Sequence, residues 1–509
     1  MSAYIVDLLK SQGPCLSSDL IQVMVDEGVA PAAARQRLSR AKSSYTRLAG
    51  IQFEKRARFI YLDSQFATHD YWEGLERAFR KHGMSYWCAI SGLRSRGGAC
   101  LKSQFPIVCG APLMRKGQIA PDTILERLKA AGILKETSEE NFPEPLVKLN
   151  PMNFGDIEPS GLRALNVAEN AAIHAIHEWA RRVGLGSYSA FRLRSGSELP
   201  VVSSVAWDIT APSYSRPLAR FSNGKIKPGF IVCDVILEGN LSVEAVEVFI
   251  RKHDMASAPL GVAPIMPFLV ANWFDQDAYD AARSAGIIAV TVEQLLGKEL
   301  ANALQALIQM LSDLGATAAV NAEKIEMVLN ELTRIEGAAQ NLRGDLFELV
   351  IGNIVKAIEK GSLSVGREIQ HSTQALKAEL DVRLDTKDRD NTLIIECKAK
   401  IPGSKVSEAE VRKWFEIKIP RIVEILRSDP YCYERILRFE MWTNGIFHPK
   451  AMAWLEGKKT EFEDEGYSVG WRDGVAVKRY CNKVRDKAIK NILREHYFNH
   501  PLAKLATEK

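Results

Sequence analysis

The chain has 509 residues, of which 46% are hydrophobic and 25% are charged, and its formal net charge is +5. This length is several times that of a usual domain, so three or four packed units are expected. The composition excludes an extensively disordered chain, and the absence of a run of about 18 apolar residues excludes a membrane-spanning protein. Together with a charged N-terminus unlike a signal peptide, these features predict a cytoplasmic protein that does not contact a membrane.

Residues 1–66 have the pattern of a winged helix-turn-helix. Three short amphipathic helical patterns precede the alternating segment IQFEKRARFIYLD, which predicts a β-hairpin or wing. Ser18 is a candidate N-cap of the second helix. The third helix is predicted to begin at Pro31 and to end at Gly50.

The third helix and the predicted wing are strongly basic. A single acid, Glu54, accompanies the basic side chains. These are Arg35, Arg37, Arg40, Lys42, Arg47, Lys55, Arg56 and Arg58. A basic recognition helix and wing suit the phosphate backbone of duplex DNA, which is the predicted partner. The alternative is a solvated basic helix in a protein–protein module.

The next three regions differ in pattern. Residues 67–160 contain further amphipathic helices and predict a second winged-helix-like domain, with the step from Ala130 to Leu134 leading into its wing. Residues 161–296 alternate helices with short apolar strands, which predicts an α/β domain. Residues 297–343 are helical, with apolar spacing at Leu304, Leu307, Ile308 and Leu311 and an interruption at Gly315, and predict a linker or dimer element.

Residues 344–509 combine charged and apolar residues in a distinctive way. The helix GDLFELVIGNIVKAIEKG carries Glu348 among apolar neighbours. In the strand AELDVRL, alternation places Glu379 and Asp381 on one face. The strand TLIIECKAK becomes charged at its end, with Glu396 and Lys398 on the same side. A hairpin-length gap separates the two strands, so antiparallel pairing should bring these groups together.

Such a cluster suits phosphodiester hydrolysis, which needs a divalent cation with oxygen ligands. Asp381 and Glu396, with the main-chain carbonyl of Cys397, can hold Mg²⁺, or Mn²⁺ in its place. Lys398 can orient the attacking water or stabilise the transition state. Glu348 could bind a second metal or a metal-bound water.

The acid-x-Lys spacing alone has little specificity. It recurs at Asp385–Lys387, Glu416–Lys418 and Glu456–Lys458, which fall in a turn or in helical patterns. Only Glu396–Lys398 ends an apolar strand that follows an acid-bearing strand and a helix with an isolated acid. The alternative is an edge-strand salt bridge in which Lys398 pairs with Glu396 or Asp381 and catalyses nothing.

The order of the Glu348 helix, ELDV, IIECKAK, a helix and RFEMWTN resembles the PD-(D/E)XK, or restriction-endonuclease-like, superfamily over about 344–500. The resemblance implies an α/β nuclease core in which Asp381 and Glu396 bind metal. It also implies that Lys398 is the catalytic lysine and that Glu348 is the helix acid. Leu380 stands where the nominal motif has proline. Glu379 is a candidate auxiliary ligand.

Residues 161–296 repeat this element order and predict a degenerate copy. Asp208 matches the first acid, whereas Cys233 and Val235 fall at the positions of Glu396 and Lys398. The segment from PFLVANW to VEQLL resembles the closing strand-helix-strand of Mrr-like restriction nucleases. His174, His177 and Glu178 lie on one helix, but nothing nearby completes a metal site, so core or surface roles are favoured.

The sequence therefore predicts a multi-domain α/β protein with an N-terminal winged helix-turn-helix, a degenerate nuclease-like middle domain and a C-terminal nuclease core. The protein is predicted to be an Mg²⁺-dependent DNA endonuclease that acts in restriction, antiphage defence or DNA repair. A DNA-binding or sensor protein that uses an inactive nuclease fold as a scaffold, and an RNA-directed nuclease, remain alternatives. A homodimer is a further expectation. No Walker motif is present, so an NTP-driven step would need a partner ATPase or regulatory chain.

Overall fold

The computed structural model describes residues 2–139, 142, 144–150, 159–194, 198–222, 224–312, 322–332, 338–386, 390–400, 404–463 and 466–498. The chain divides into two compact units. Unit 1 comprises Met1–Glu158 and Ala180–Thr291, and unit 2 comprises Pro159–Trp179 and Val292–Lys509. Helices and strands occur in both units, so the predicted α/β class is confirmed.

The first 66 residues form three helices and a small sheet. The helices are α1 (Ser2–Gln12), α2 (Ser17–Asp26) and α3 (Pro31–Arg40). The strands β1 (Cys15–Leu16), β2 (Thr46–Arg47) and β3 (Phe59–Tyr61) pair in the order β1-β3-β2. One buried core contains apolar residues from all three helices, among them Ile5, Leu9, Leu20, Met24 and Leu38. The three predicted helices therefore exist because each buries one face.

The predicted start of the second helix and the predicted end of the third helix both need correction. Because α2 already begins at Ser17, Ser18 lies inside the first turn and is not the N-cap. The Ser17 hydroxyl instead accepts a hydrogen bond from the Arg58 N–H at 3.0 Å. The third helix ends at Arg40 rather than near Gly50. It stops early because the chain then turns to pair β2 with β3.

The hairpin predicted within IQFEKRARFIYLD is also wrong in its pairing. Lys55 and Arg56 have φ angles of 53° and 60°, in the left-handed region, and they turn the chain before the second half of the segment. Only that second half becomes a strand, β3, and its partners are β1 and β2. The alternating apolar residues of this segment do predict a strand, but they do not show which strands it pairs with.

Residues 67–150 form a second group of helices beside a three-stranded antiparallel sheet. The helices are α4 (His69–His82), α5 (Met84–Arg94), α6 (Phe105–Cys109) and α7 (Pro121–Ala130). The strands β4 (Ala99–Leu101), β5 (Leu134–Thr137) and β6 (Leu146–Leu149) pair in the order β4-β6-β5. The predicted step from α7 into a strand is present, with Gly132 at a φ of 71°.

The middle α/β region follows α8 (Pro159–Arg182). Its strands are β7 (Arg192–Leu193), β8 (Val201–Val202), β9 (Val205–Ala206), β10 (Ile209–Ser213), β11 (Arg220–Ser222), β12 (Lys225–Lys227), β13 (Gly229–Leu241), β14 (Ile265–Phe274) and β15 (Ile288–Thr291). Its helices are α9 (Val243–Ser257) and α10 (Gln276–Ser284). Five strands form one sheet in the order β15-β14-β13-β10-β7.

The segment VVSSVAWDITAP forms three short strands, β8, β9 and β10, rather than one continuous strand. Ser203 and Ser204 have φ angles of 53° and 67° and fold β8 back onto β9. Only β10 joins the five-stranded sheet, where it pairs with β7 and β13. A left-handed turn at two serines is a conformation that apolar alternation does not signal.

Unit 2 begins with helices and continues as a second five-stranded sheet. The helices are α11 (Val292–Leu296), α12 (Lys298–Ser312), α13 (Ala322–Leu332) and α14 (Ala338–Glu359). In α12, Leu304, Leu307 and Leu311 are buried and Ile308 is half-buried, as their spacing predicted. Gly315 lies outside the described residues.

The remaining elements of unit 2 alternate strands and helices. The strands are β16 (Gly361–Gln370), β17 (Lys377–Thr386), β18 (Asn391–Lys398), β19 (Lys405–Val406), β20 (Ile436–Thr443), β21 (Ile446–Phe447) and β22 (Ser468–Arg472). The helices are α15 (Glu408–Arg412), a π-helical turn (Lys413–Lys418), α16 (Ile419–Arg427), α17 (Pro449–Glu463), α18 (Gly474–Cys481), α19 (Lys487–Ile492) and a second π-helical turn (Leu493–Phe498). The main sheet has the order β16-β17-β18-β20-β22.

The two five-stranded sheets have the same strand order and the same strand directions. In each, the first three strands are antiparallel neighbours, and the fourth and fifth are added in parallel. In each, a long helix precedes the first strand, and helices connect the third strand to the fourth and the fourth to the fifth. The repeated element order predicted for residues 161–296 is therefore present.

Among the described helices, none has both the length and the apolar character needed to cross a bilayer.

Candidate active site at the acidic end of the unit 2 sheet

Two neighbouring strands bring the predicted acids together. Val382 of β17 lies opposite Ile395 of β18 in an antiparallel pair. The next residues along, Asp381 and Glu396, therefore face each other on the same side of the sheet. Both are buried, with exposures of 8% and 3%. The structure thus brings these two carboxylates together at neighbouring positions of the sheet.

Asp381 is held by the backbone of the neighbouring strand. Its Oδ2 accepts a hydrogen bond from the Cys397 N–H at 2.7 Å. In an antiparallel strand, the N–H and C=O of one residue point to the same neighbour, so the Cys397 carbonyl also points towards β17. The predicted backbone ligand thus lies on the side of Asp381.

Glu396 is contacted by two ammonium groups. Lys398 Nζ lies 2.7 Å from Glu396 Oε1, and Lys418 Nζ lies 3.0 Å from both carboxylate oxygens. Burial alone would raise the pKa of Glu396, but the two lysines outweigh it and hold that pKa below its usual value. Glu396 is therefore ionised at neutral pH, and Lys398 is adjacent to it as predicted.

Asp381 has the opposite electrostatic environment. Burial, and then repulsion from Glu396, raise the pKa of Asp381 to about 7. Its hydrogen-bond donor is a main-chain N–H rather than a cation. A carboxyl group of this kind is half protonated near neutral pH, and a positive charge beside it would favour its ionised form.

A second group of acids adjoins this pair. Asp345 and Glu348 lie three residues apart on α14 and share one face, and Glu379 lies on β17. Arg163 of α8 contacts all three acids: Nη1 lies 2.6 Å from Glu379 Oε1, while Nη2 bonds Asp345 and lies 3.7 Å from Glu348 Oε1. Burial, and then repulsion from Asp381, raise the pKa of Glu348 well above its usual value.

Five acids and three cations among the described residues meet in this cluster. The acids are Asp345, Glu348, Glu379, Asp381 and Glu396, and the cations are Arg163, Lys398 and Lys418. Asp381 accepts its hydrogen bond from a main-chain N–H, and a buried carboxylate of this kind favours uptake of a proton or of a metal ion. Asp381, Glu396 and the Cys397 carbonyl offer the hard oxygen ligands that Mg²⁺ prefers, so the residues fit that ion.

The acids do not form a closed cage of side chains. Within the part of the chain that the structure describes, the one group of three His, Cys, Asp or Glu side chains with ligand atoms within 4.8 Å of one another is His69, Asp70 and Glu73. That group is fully exposed on the first turn of α4, where acids without a metal are common. Within the described residues, His174, His177 and Glu178 are not part of such a group.

Sequence reasoning found five members of the cluster and missed three. Glu348, Glu379, Asp381, Glu396 and Lys398 are brought together, whereas Arg163, Asp345 and Lys418 were not predicted. Lys418 follows Trp414 by four residues, a spacing that places both on one face of a helix. Trp414 is a core residue with 1% exposure, and Lys413 is exposed.

The middle sheet contains a counterpart of the acid pair, in a register that corrects the predicted alignment. Ile209 pairs with Cys233, so Asp208 faces Asp234 rather than Cys233. The Asp208 Oδ2 accepts a hydrogen bond from the Val235 N–H at 2.8 Å, as Asp381 does from Cys397. The match to Glu396 is thus Asp234, one residue later than predicted.

The counterpart acids are already paired with cations. Arg194 Nη1 and Arg96 Nη2 lie 3.0 and 3.4 Å from the Asp208 carboxylate, and Lys252 of α9 bonds Asp234. Burial alone would raise the pKa of Asp208, but Arg194 and Arg96 outweigh it and keep that pKa low. Ile236 stands where Lys398 would be. The middle sheet thus retains two facing acids, but the three neighbouring cations offset their negative charge.

The predicted DNA-contacting side chains of the N-terminal region are accessible. Arg37 is half-buried and the other seven are exposed. Arg47 donates to the Tyr45 hydroxyl at 3.0 Å, and Arg58 donates to the Ile51 carbonyl at 3.5 Å. Within the described ranges, none of the eight forms an ion pair with an acid, so their positive charge is uncompensated locally.

Comparisons with known proteins give only distant likenesses. No family model and no curated protein matches the chain. The DNA modification-dependent restriction endonuclease AspBHI shows 9% identity over 40% of this chain and 62% of its own, with a TM-score of 0.18. The MspJI restriction endonuclease in complex with a 27-mer oligonucleotide shows 14% identity over 44% and 48%, also with a TM-score of 0.18. The chain thus spans less than two thirds of the length of either protein, and similarity at this level does not establish a shared fold or function.

Proposed function

We propose that the chain is a metal-dependent endonuclease that hydrolyses phosphodiester bonds in duplex DNA, with its active site at the Asp381–Glu396 pair. The observation that carries this proposal is a buried, facing pair of carboxylates, of which Asp381 accepts its hydrogen bond from a main-chain N–H. The element order around the pair supports a restriction-endonuclease-like core. Restriction, antiphage defence or DNA repair is the proposed setting.

The proposed metal is Mg²⁺, with Mn²⁺ as an alternative, held by Asp381, Glu396 and the Cys397 carbonyl. Such an ion would offset negative charge at the scissile phosphate. Glu348 and Glu379 lie beside this position and would hold ordered water or a second ion. Burial of the acids excludes bulk water and strengthens their interaction with a cation.

Lys398 is the proposed catalytic lysine. Its ammonium group lies at the end of β18, 2.7 Å from Glu396, and its side chain is about one-third exposed at 29%. It can therefore reach both the acid pair and a phosphate that approaches from solvent. From there it would donate a hydrogen bond to the attacking water or to a phosphate oxygen, stabilising the charge that develops.

The N-terminal region is the proposed DNA-binding element. Three helices, a small sheet and an uncompensated basic surface support a winged helix-turn-helix that contacts phosphates. A second domain of this kind at residues 67–160, a degenerate nuclease-like domain at 161–296 and a linker or dimer element at 297–343 complete the proposed organisation. A homodimer and a partner ATPase or regulatory chain stay predictions.

A plasmid assay tests the proposed reaction. Purified full-length protein with Mg²⁺ should nick or linearise supercoiled plasmid, and EDTA should prevent this. Lys398→Ala should abolish cleavage while DNA binding is retained. Lys413→Ala, which changes an exposed lysine of the neighbouring helical segment, is the matched control and should cleave normally. Full cleavage by Lys398→Ala would remove the proposed site.

A scaffold function is the second candidate, because Glu396 already has two ammonium partners. An arrangement of that kind can also serve stability alone. The two candidates differ in metal uptake: an active site should bind Mn²⁺, detected by electron paramagnetic resonance, and Asp381→Asn should lose that binding. A chain that binds no Mn²⁺ and cuts no DNA would favour the scaffold.

A further inference from the structure

An exposed hairpin in the middle region has features that the proposed active site does not use. β11 (Arg220–Ser222) and β12 (Lys225–Lys227) form a separate two-stranded ribbon, here called the basic hairpin. Phe221 lies opposite Ile226, and Arg220 lies opposite Lys227. Phe221 is 81% exposed and Ile226 is 52% exposed. The hairpin thus presents an apolar pair to solvent.

The hairpin and its approach are basic throughout. Residues 214–228, with the sequence YSRPLARFSNGKIKP, contain four basic residues and no acid. These residues are Arg216, Arg220, Lys225 and Lys227, and all four are exposed. Within the described residues, no ion pair involves them. An aromatic and aliphatic pair flanked by uncompensated cations complements a nucleic acid, which presents apolar base and sugar edges between phosphates.

The base of the hairpin is packed against the middle region, although Phe221 and Ile226 are exposed. Leu218 is buried, with 4% exposure, and packs against Gly229 at the start of β13. Arg220 Nη1 donates to the Val262 carbonyl at 3.2 Å. The hairpin therefore projects from a packed base, and its exposed pair does not belong to the core of the middle sheet.

We infer that the basic hairpin is a second DNA-contacting element of this protein. A two-stranded ribbon has the width to enter a groove of duplex DNA, where apolar side chains pack against base and sugar edges and flanking cations contact phosphates. Phe221 and Ile226 would provide the apolar contact, and Lys225 and Lys227 the phosphate contacts. This inference rests on the proposed function for the identity of the substrate, and it adds a binding surface that the N-terminal region does not supply.

Duplex binding by the full chain tests the inference, measured by fluorescence anisotropy in EDTA over a range of NaCl concentrations. Lys225→Ala with Lys227→Ala should weaken binding and reduce the slope of log K against log salt by about 0.9 for each phosphate that the variant no longer neutralises. Phe221→Ala with Ile226→Ser should weaken binding by about fivefold or more and leave that slope unchanged.

Matched controls come from exposed residues of unit 2. Lys298→Ala with Lys450→Ala removes the same charge, and Tyr431→Ala removes a side chain that is 90% exposed. Once the loss of net charge is allowed for, neither control variant should differ from the wild-type chain in DNA affinity by more than about twofold. Thermal melts should show unchanged folding for all variants, because every substituted side chain is exposed.

The outcomes separate this inference from the proposed function. If the wild-type chain cuts plasmid and both hairpin variants bind and cut as it does, the hairpin inference fails alone. If the hairpin variants lose duplex binding while the wild-type chain never cuts, the nuclease proposal fails and the hairpin assignment stands. Hairpin-dependent binding to vesicles that contain phosphatidylserine, without binding to DNA, would assign this surface to a lipid and overturn the inference.

Discussion

Glu396 receives two lysines from two different elements. Lys398 follows it by two residues along β18, whereas Lys418 reaches it from the π-helical turn that precedes α16. Each ammonium group lowers the pKa of Glu396 and keeps it ionised. The two lysines need not have equal roles, since Lys398 ends the strand that carries Glu396, whereas Lys418 bonds both Glu396 carboxylate oxygens from a separate helical turn.

Lys418 is therefore expected to position Glu396. Lys418→Met should lower kcat by about 10- to 100-fold, as is usual for residues that support a metal ligand. The acidic limb of the pH–rate profile should move to higher pH, because Glu396 loses one of the charges that lower its pKa. Lys413→Met serves as the control and should change neither. A normal profile for Lys418→Met would limit this residue to a structural role.

Asp381 makes metal-free stability depend on pH. Its pKa of about 7 in the folded state exceeds the ordinary value of about 3.9, so ionisation opposes folding. This destabilisation is absent below about pH 4, grows as pH rises towards 7 and is constant above. In EDTA, the Tm of Asp381→Asn relative to wild type should thus be several degrees higher at pH 8 than at pH 5, measured by scanning fluorimetry.

Mn²⁺ provides the contrasting measurement for Asp381. A cation that binds the folded wild-type chain should raise its Tm at pH 8 and leave Asp381→Asn unchanged. If both proteins respond equally to Mn²⁺, the ion binds elsewhere. A Tm difference that does not vary with pH would mean that Asp381 keeps an ordinary pKa.

Arg163 contacts three acids at once. Arg163→Met would leave Asp345, Glu348 and Glu379 without their guanidinium partner, and metal-free stability should fall by about 3 kcal/mol, discounted from the cost of breaking a fully buried pair. Mn²⁺ should restore part of this loss, since a divalent cation can replace the missing charge. Arg485→Met changes an exposed arginine and should be neutral. A Tm of Arg163→Met equal to that of wild type would contradict the contacts described.

The residues that sequence reasoning found and missed differ in how local their signals are. Asp381, Glu396 and Lys398 follow from alternation within two adjacent strands. Arg163 contacts Asp345 across 182 residues of sequence, and no spacing rule connects positions that far apart. Lys418 belonged to an acid-x-Lys triplet that was set aside as helical, and its helical position is what brings it to Glu396.

At the level of elements, strand signals were strongest where both faces are buried. β18 is almost entirely buried and was predicted from its apolar run. β16 was not predicted: it is the edge strand of the sheet, and most of its residues are exposed or half-buried. An edge strand has only one partner, so its sequence carries little of the apolar pattern.

The helix that precedes the π-helical turn of Lys418, α15, begins with a capping box. The Ser407 hydroxyl accepts from the Glu410 N–H, and the Glu410 carboxylate accepts from the Ser407 N–H at 2.8 Å. Ser407→Ala should destabilise unit 2 by about 1 kcal/mol, a Tm decrease of roughly 2–4 °C. Glu408→Gln, which weakens only a surface ion pair with Arg412, should change stability by less than about 0.5 kcal/mol. Equal Tm values for the two variants would argue against the cap.

At the level of the whole molecule, element order was more predictable than register. The repeated order of residues 161–296 was foreseen, but the counterpart of Glu396 was placed at Cys233 instead of Asp234. A shift of one residue moves a side chain to the other face of a strand, and from Phe230 to Leu237 β13 is apolar on both faces except at Asp234. Asp234 was therefore the one mark of register within the apolar run, and the predicted alignment did not use it.

The N-terminal basic surface should dominate the salt dependence of DNA binding. Arg35→Ala, Arg37→Ala and Arg40→Ala combined should weaken duplex binding and reduce the salt slope by about 0.9 for each phosphate left without its arginine. A control that combines Lys298→Ala, Lys450→Ala and Arg485→Ala removes three positive charges from unit 2. If both triple variants give the same slope, α3 does not face DNA.

The two sheets each contain a pair of facing carboxylates, and they differ in how the repulsion between the two negative charges is offset. In the middle sheet, Arg96, Arg194 and Lys252 pair with the acids and offset their charge. In the unit 2 sheet, part of this repulsion remains, and the proposed metal ion would offset it. A metal site could therefore be engineered into the middle sheet by removing cations rather than by adding acids, since Asp208 and Asp234 already face each other.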